Sequence, residues 1–167
     1  ERPPEVRAVQ QAAVQEPRSA PATPEGMVRV PPGPGPADKI RRHAIRYAFF
    51  IDKLETTVGE YQACVDAGGC TPAWDGKGSY ENHCTVGKDP KLPITCVNTQ
   101  QARAYCEWRG KRPLVDMEWR WAAKGEDRIT PWGSNVLDCE HANTSTGREK
   151  HTGCVPGGGP WPVGTAP

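Results

Sequence analysis

Residues 102–125 read ARAYCEWRGKRPLVDMEWRWAAKG and carry the strongest fold signal in this chain. They combine two short helix-like segments with a connecting turn, Gly110–Arg112, because a glycine ends the first segment and a second one begins a few residues later. Four tryptophans lie in and just beyond this stretch, namely Trp108, Trp119, Trp121 and Trp132. Indole rings at helical spacing with alanines nearby are typical of a packed core, so we expect these side chains to be mostly buried.

Residues that favour helix starts and helix ends flank these two segments and a third segment after Thr57. Asn98 is suited to cap the first segment, with Gln101 at the third helical position. Thr57 and Glu60 form the same capping-box pattern earlier in the chain. We therefore expect one helix after Thr57, one after Asn98 and one over residues 116–124, each ended by glycine.

Loops are expected to dominate between these elements, because the 167 residues include 18 glycines and 18 prolines. Residues 44–51 are apolar and aromatic enough for a strand, and residues 94–97 are a candidate for a shorter one. Residues 1–25 are rich in Pro, Ala, Gln and Glu without sustained periodicity. We expect a disordered linker there, followed by one domain over residues 26–167.

The segment from Gly110 to Arg120, GKRPLVDMEWR, resembles the GKRLPTEAEWE segment of the formylglycine-generating-enzyme (sulfatase-modifying-factor) family. Residues 27–33 look like the opening strand of that family, residues 50–61 like its next strand and first helix, and residues 162–164 like the segment before its second half. The resemblance implies an α+β fold, irregular, loop-rich and C-type-lectin-like, with two to three short helices and little β-sheet.

The resemblance also implies a chemistry, in which a copper-bound cysteine pair and dioxygen convert a sulfatase cysteine to formylglycine. Two thiolates close together suit soft Cu(I). The family places these cysteines, and its calcium ligands, in later segments that would lie beyond Pro167. We therefore expect a domain truncated at its C-terminus, with no catalytic residue, copper or calcium site in this chain. Its expected partner is a sulfatase-like protein or peptide.

One residue departs from the family pattern with a physical consequence. The family has a helix-capping threonine where this chain has Val115. Valine cannot accept a hydrogen bond, which costs the helix about 1 kcal/mol. Because Asp116 could cap a helix that begins one residue later, we expect a shorter or shifted N-terminus for the third helix.

Composition narrows the function classes. The net charge is +1 with acids and bases interspersed, which gives no case for a nucleic-acid partner. The sequence has no apolar run long enough to span a bilayer. Seven cysteines in a chain of this length favour disulfides and an oxidising compartment, so we expect a secreted, periplasmic or surface-attached protein.

Spacing suggests three disulfides and leaves one cysteine over. The candidate pairs are Cys64 with Cys70, Cys84 with Cys96, and Cys139 with Cys154. Cys106 is left unpaired, either as a buried thiol or as a bridge to a partner outside this sequence, because in some relatives the matching cysteine pairs with one near the C-terminus. An alternative for the last pair is a zinc site formed by Cys139, His141, His151 and Cys154; the disulfide is favoured.

Charged residues near the helix ends have structural explanations. Glu55 precedes a helix N-terminus, and Arg109, Lys111 and Arg112 follow a helix C-terminus, where each charge is favourable. Two functions stay open at this point. The chain is either the N-terminal portion of a formylglycine-generating enzyme, inactive alone, or a non-catalytic binding or structural module on the same scaffold.

Overall fold

The computed structural model describes residues 21–35, 44–76, 84–126, 128–133, 141–142 and 159–165. Within them the chain forms two short strands and three short helices. In chain order these are β1 (Met27–Val30), β2 (Phe49–Asp52), α1 (Val58–Asp66), α2 (Thr99–Trp108) and α3 (Asp116–Lys124). This loop-rich α+β arrangement confirms the fold class expected from the sequence.

The two strands pair antiparallel and form one face of a small core. Val30 lies opposite Phe49 in the register, and both side chains are buried together with Ile45. Met117 and Trp121 of α3 pack against this cluster. The strand expected over residues 44–51 is therefore shorter and displaced towards its C-terminal end. Residues 94–97 form no strand, because Cys96 takes a left-handed backbone conformation with φ +59°.

Helix α1 begins as its capping box requires. The Thr57 hydroxyl accepts from the Glu60 amide at 3.1 Å, and the Glu60 carboxylate accepts from the Thr57 amide at 2.9 Å. The inner face of the helix buries Val58, Tyr61 and Cys64. Tyr61 and Cys64 belong to a second core cluster, separate from the first one beside β1 and β2, so this helix contributes to the packing of the core.

A loop from Pro90 to Ile94 covers the N-terminal turn of α1. The Val58 amide donates to the Leu92 carbonyl at 2.8 Å, and the Gly59 amide donates to the Pro90 carbonyl at 2.9 Å. These are two of the donors that a helix start leaves without an intrahelical acceptor. The Ile94 amide donates back to the Thr56 carbonyl at 2.9 Å, so the loop is docked on both sides of the helix start.

Helix α2 confirms its expected cap. Asn98 accepts from the Gln101 amide at 2.9 Å, and the Gln101 side chain accepts from the Asn98 amide at 2.9 Å. The Gln101 side chain also donates to the Pro72 carbonyl at 2.7 Å, which ties the helix start to the chain after α1. Gly110, with φ +68°, follows the helix in a conformation that favours glycine.

The start of α3 corrects one expectation. Val115 provides no side-chain cap, as predicted, yet it is the N-cap residue and the helix begins at Asp116 without a shift. The position holds because the buried Glu118 carboxylate accepts from the Val115 amide at 3.0 Å. This backbone half of a capping box fixes the helix start when the hydroxyl half is missing.

The tryptophans are less buried than expected. Trp119 is 57% exposed, and Trp108 is 41% exposed although its ring packs on Gly69. Trp121 packs on the first core cluster, and its indole N–H donates to the Pro31 carbonyl at 3.0 Å. Its ring lies so close to Gly33 that a Cβ at that position would overlap it.

None of the helices in the described part of the chain combines the length and the apolar character needed to cross a bilayer.

Candidate functional site

A cleft of about 570 Å³ opens at the corner where β2 leads into α1. Its walls are the 52–57 segment, the C-terminal end of α2, the Pro90–Lys91 part of the docked loop and the segment from Pro162 to Thr165. The last two walls are joined, because the Val163 amide donates to the Lys91 carbonyl at 2.8 Å. Chain segments distant in sequence therefore form one site.

Charges of both signs alternate along this cleft. Lys111 donates to the Asp52 carboxylate at 2.5 Å, and Arg109 lies 3.9 Å from the Glu60 carboxylate. All four side chains are partly exposed, so each pair remains accessible to a solute. Such a surface offers donors and acceptors to a polar peptide, whereas a polyanion would meet carboxylates among the cations.

Tyr105 gives the cleft an aromatic wall. Its ring stacks on Tyr61 at a centroid distance of 5.8 Å and meets Trp108 at 6.0 Å. Burial raises the pKa of the Tyr105 phenol, so the group stays neutral near pH 7 and acts as a hydrogen-bonding and stacking surface.

A second cavity of about 1100 Å³ adjoins the first. Both cavities share the Lys111–Asp52 ion pair and the 53–56 segment that follows it. Trp132 and His141, whose rings stack at 5.1 Å, line the second cavity together with Cys106. The two cavities are therefore neighbours that share part of their lining.

Cys106 is the free thiol among the described cysteines. Burial raises its pKa, and the negative charge of Asp52 raises it further, while Lys111 acts in the opposite sense. The thiol is therefore protonated near pH 7. A protonated, half-buried thiol is a poor nucleophile and a poor metal ligand.

The structure brings together four of the predicted disulfide cysteines. Cys64 is joined to Cys70, with 5.3 Å between their Cα atoms, and Cys84 is joined to Cys96, with 5.4 Å. Cys139 and Cys154 lie outside the described residues, and so does His151 of the alternative zinc set. His141 is described, and it stacks on Trp132. Among the described residues there is no cluster of metal-ligating side chains.

Sequence reasoning missed the most buried polar group in the described part of the chain. Glu118 is fully buried and accepts two hydrogen bonds from Arg112, at 2.6 and 2.7 Å. The Tyr47 hydroxyl donates to the same carboxylate at 3.0 Å. The Arg112 hydrogen bonds lower the Glu118 pKa to about 2, against the opposing effect of burial.

The basic turn follows the C-terminus of α2, with Arg109 as its C-cap residue. The structure adds a carboxylate partner for each cation: Arg112 binds Glu118, Lys111 binds Asp52 and Arg109 approaches Glu60. The spacing of Glu118 from Val115 is a sequence signal for the capping contact. The contact of Glu118 with Tyr47, 71 residues away, has no such signal.

The described residues do not fit the copper centre that the family resemblance implies. That centre needs two thiolates, whereas four of the described cysteines form disulfides and Cys106 is a protonated thiol. No catalytic step through copper can be assigned to them.

Comparison with known proteins places the chain in a family. Residues 11–155 match the family model described as the sulfatase-modifying factor enzyme 1-like domain. Formylglycine-generating enzyme from Bos taurus is 32% identical over 84 residues, which cover 43% of this chain and 22% of that protein. Inactive C-alpha-formylglycine-generating enzyme 2 from Bos taurus is 44% identical over 46 residues, 26% of this chain and 15% of that protein.

A bacterial relative matches to a similar extent. Formylglycine-generating enzyme from Streptomyces coelicolor is 29% identical over 79 residues, 40% of this chain and 25% of that protein. The matched segments thus span a quarter or less of each of these three relatives. The family match itself covers most of the chain. The chain therefore belongs to the family of sulfatase-modifying factor enzyme 1-like domains.

Proposed function

We propose that this chain corresponds to the N-terminal portion of a formylglycine-generating-enzyme-type domain, and that it contributes a peptide-binding wall without performing the oxidation itself. The cleft beside Tyr105 supports the binding part of the proposal, because it offers paired charges and an aromatic wall to an extended peptide. The substrate class is a cysteine-containing peptide of the sulfatase type.

The state of Cys106 is the observation that carries the second part of the proposal. Formylglycine formation by this family uses two reactive thiols, and Cys106 is a single thiol whose pKa burial raises. The ordinary reactivity of a catalytic cysteine requires the opposite shift. The described part of the chain thus supports recognition better than oxidation.

The proposal includes an extracytoplasmic location. Two disulfides within 33 residues of chain, Cys64–Cys70 and Cys84–Cys96, are stable where the environment is oxidising. The secretory pathway lumen, the periplasm and the cell surface all meet that condition.

A direct experiment tests the proposal with the chain as it exists. The purified chain is incubated with a copper(I) salt, dioxygen, a thiol reductant and a sulfatase-motif peptide, and aldehyde formation is followed with an aminooxy probe. Bovine formylglycine-generating enzyme serves as the positive control. We expect no aldehyde from this chain alone. Aldehyde formation by the chain would contradict the proposed lack of oxidation.

Peptide binding is measured separately by fluorescence anisotropy. We expect Arg109→Ala to weaken binding of the sulfatase-motif peptide, because Arg109 lines the cleft. Arg103→Ala is the matched control, since Arg103 is exposed on the same helix and is not among the residues that line the cleft. Equal effects of the two substitutions would place the peptide elsewhere.

The second candidate function is a non-catalytic binding or structural module of unrelated specificity. It is favoured by the match to a relative whose name describes it as inactive, and by the altered Pro113–Val115 segment. A scrambled peptide discriminates the two candidates. Binding of the sulfatase-motif peptide and not of the scrambled one supports the first function, and absence of binding by either supports the module.

A further inference from the structure

We infer that the Cys84–Cys96 disulfide is a redox-sensitive clasp that sets the position of one wall of the cleft. The inference rests on the proposed function only in treating that cleft as the functional one. Its physical basis is a difference between the two disulfides in accessibility and in backbone conformation.

The two disulfides differ in how easily a reductant reaches them. Cys64 is 0% exposed and Cys70 is 9% exposed, so both sulfurs of that pair lie within a core cluster. Cys84 is likewise buried, at 1% exposure, but Cys96 is partly exposed as a residue. The Cys84–Cys96 pair therefore includes the most exposed of the four bonded cysteines, and exposed disulfides are the ones that exchange readily.

Backbone conformation adds a second difference. Cys96, with φ +59°, is the non-glycine residue with positive φ in the described part of the chain. A side chain makes this conformation unfavourable, and it persists where surrounding contacts impose it. The bond to the buried Cys84 is one such contact. Once the bond is broken, Cys96 is free to return to an ordinary conformation.

The residues next to the disulfide transmit its state to the cleft. The buried Thr85 hydroxyl donates to the Pro93 carbonyl at 2.7 Å and accepts from the Thr95 amide at 2.9 Å. These contacts hold the two ends of the 84–96 segment side by side. The middle of that segment is the loop that accepts hydrogen bonds from Val58, Gly59 and Val163. A displacement at Cys96 that also breaks the contacts of Thr85 with Pro93 and Thr95 would therefore reach the walls formed by Pro90 and Lys91.

The reaction uses a dithiol reductant and balances as a two-electron exchange. One thiolate of the dithiol attacks the Cys96 sulfur, the bond between the two cysteines breaks, and Cys84 leaves as a thiolate that takes up a proton. The second thiol of the reductant then displaces Cys96, which also ends as a thiol. The reductant becomes a cyclic disulfide, and the protein gains two electrons and two protons.

The first experiment measures selectivity on the native chain. The protein is exposed to increasing dithiothreitol, quenched with acid, alkylated and mapped by mass spectrometry. We expect Cys84–Cys96 to be reduced at least about tenfold faster than Cys64–Cys70. Equal rates, or faster reduction of Cys64–Cys70, would overturn the inference.

The second experiment measures the conformational consequence by hydrogen exchange after selective reduction. The Val58, Gly59 and Val163 amides should lose protection, because their acceptors lie on the loop, while the amides of β1 and β2 keep theirs. The double variant Cys84→Ser with Cys96→Ser should show the same pattern without reductant. Unchanged protection at the three amides, or loss of protection in the strands as well, would overturn the inference. Because neither experiment uses a peptide or copper, its failure is distinct from failure of the proposed function.

Discussion

Replacing Glu118 by glutamine tests how much the buried Glu118 carboxylate and its ion pair with the exposed Arg112 stabilise the fold. The substitution keeps the side-chain shape and removes the charge that Arg112 binds at 2.6 and 2.7 Å. Lowering the Glu118 pKa from 4.5 to about 2 corresponds to about 3 kcal/mol in favour of the folded state. Because the Arg112 side chain is 56% exposed, solvent screens part of this interaction, so the loss measured for Glu118→Gln should be at most about 3 kcal/mol.

The lowered pKa of Glu118 determines how the effect of Glu118→Gln on stability changes with pH. The folded-state pKa of Glu118 is depressed, so its contribution is complete above the pKa of the unfolded chain and is lost as pH falls towards about 2. The difference in unfolding free energy between the wild type and Glu118→Gln should therefore be largest near pH 7. It should shrink steadily below pH of about 5.

Urea denaturation under non-reducing conditions, followed by tryptophan fluorescence at several pH values, measures this difference. Glu107→Gln is the matched control, because Glu107 is exposed on a helix and its substitution should change stability little. A Glu118→Gln deficit that stays constant between pH 7 and pH 3 would refute the ionic explanation. A constant deficit would mean that the glutamine amide packs less well than the carboxylate and that charge contributes little to stability.

Three further predictions concern other parts of the fold. Val115→Thr should raise the unfolding free energy by about 1 kcal/mol by restoring the missing hydroxyl cap, and an unchanged thermal midpoint would count against it. Gly33→Ala should cost about 1–3 kcal/mol because the new methyl overlaps the Trp121 ring; a near-ultraviolet circular dichroism spectrum and stability like those of the wild type would contradict this. Cys106 should react with iodoacetamide at pH 8 more slowly than a cysteine in an unstructured peptide, and Asp52→Asn should speed the reaction, because burial and then the Asp52 charge raise the thiol pKa. Time courses with peptide mapping measure both rates, and equal rates in the folded chain and the peptide would refute the argument.

Local signals in the sequence were sufficient for α1 and α2. The capping boxes at Thr57 and Asn98, together with the glycine after each helix, predicted where α1 and α2 begin and end, and the structure confirms both helices. Such signals are reliable because the hydrogen bonds that they describe join residues three or four positions apart. The boundaries of these two helices were therefore accessible without knowledge of the tertiary contacts, whereas the expected shift at the start of α3 was wrong.

The site depended on contacts that no local pattern encodes. The burial of Glu118 follows from Tyr47 and Arg112 meeting on it from different parts of the chain. The left-handed conformation of Cys96 and the docking of its loop on α1 arise likewise from tertiary contacts. Exposure of Trp119 had the same origin, since helical spacing gives the face of a side chain but not which face packs inward.

The hydrogen bond from Trp121 to Pro31 has a consequence for synthesis of the chain. It joins residues 90 positions apart, and the same indole covers Gly33 just after β1. During translation the segment around Pro31 leaves the ribosome long before α3 has been made. That early segment must therefore wait for the tryptophan to arrive, so its docking is a late event in folding.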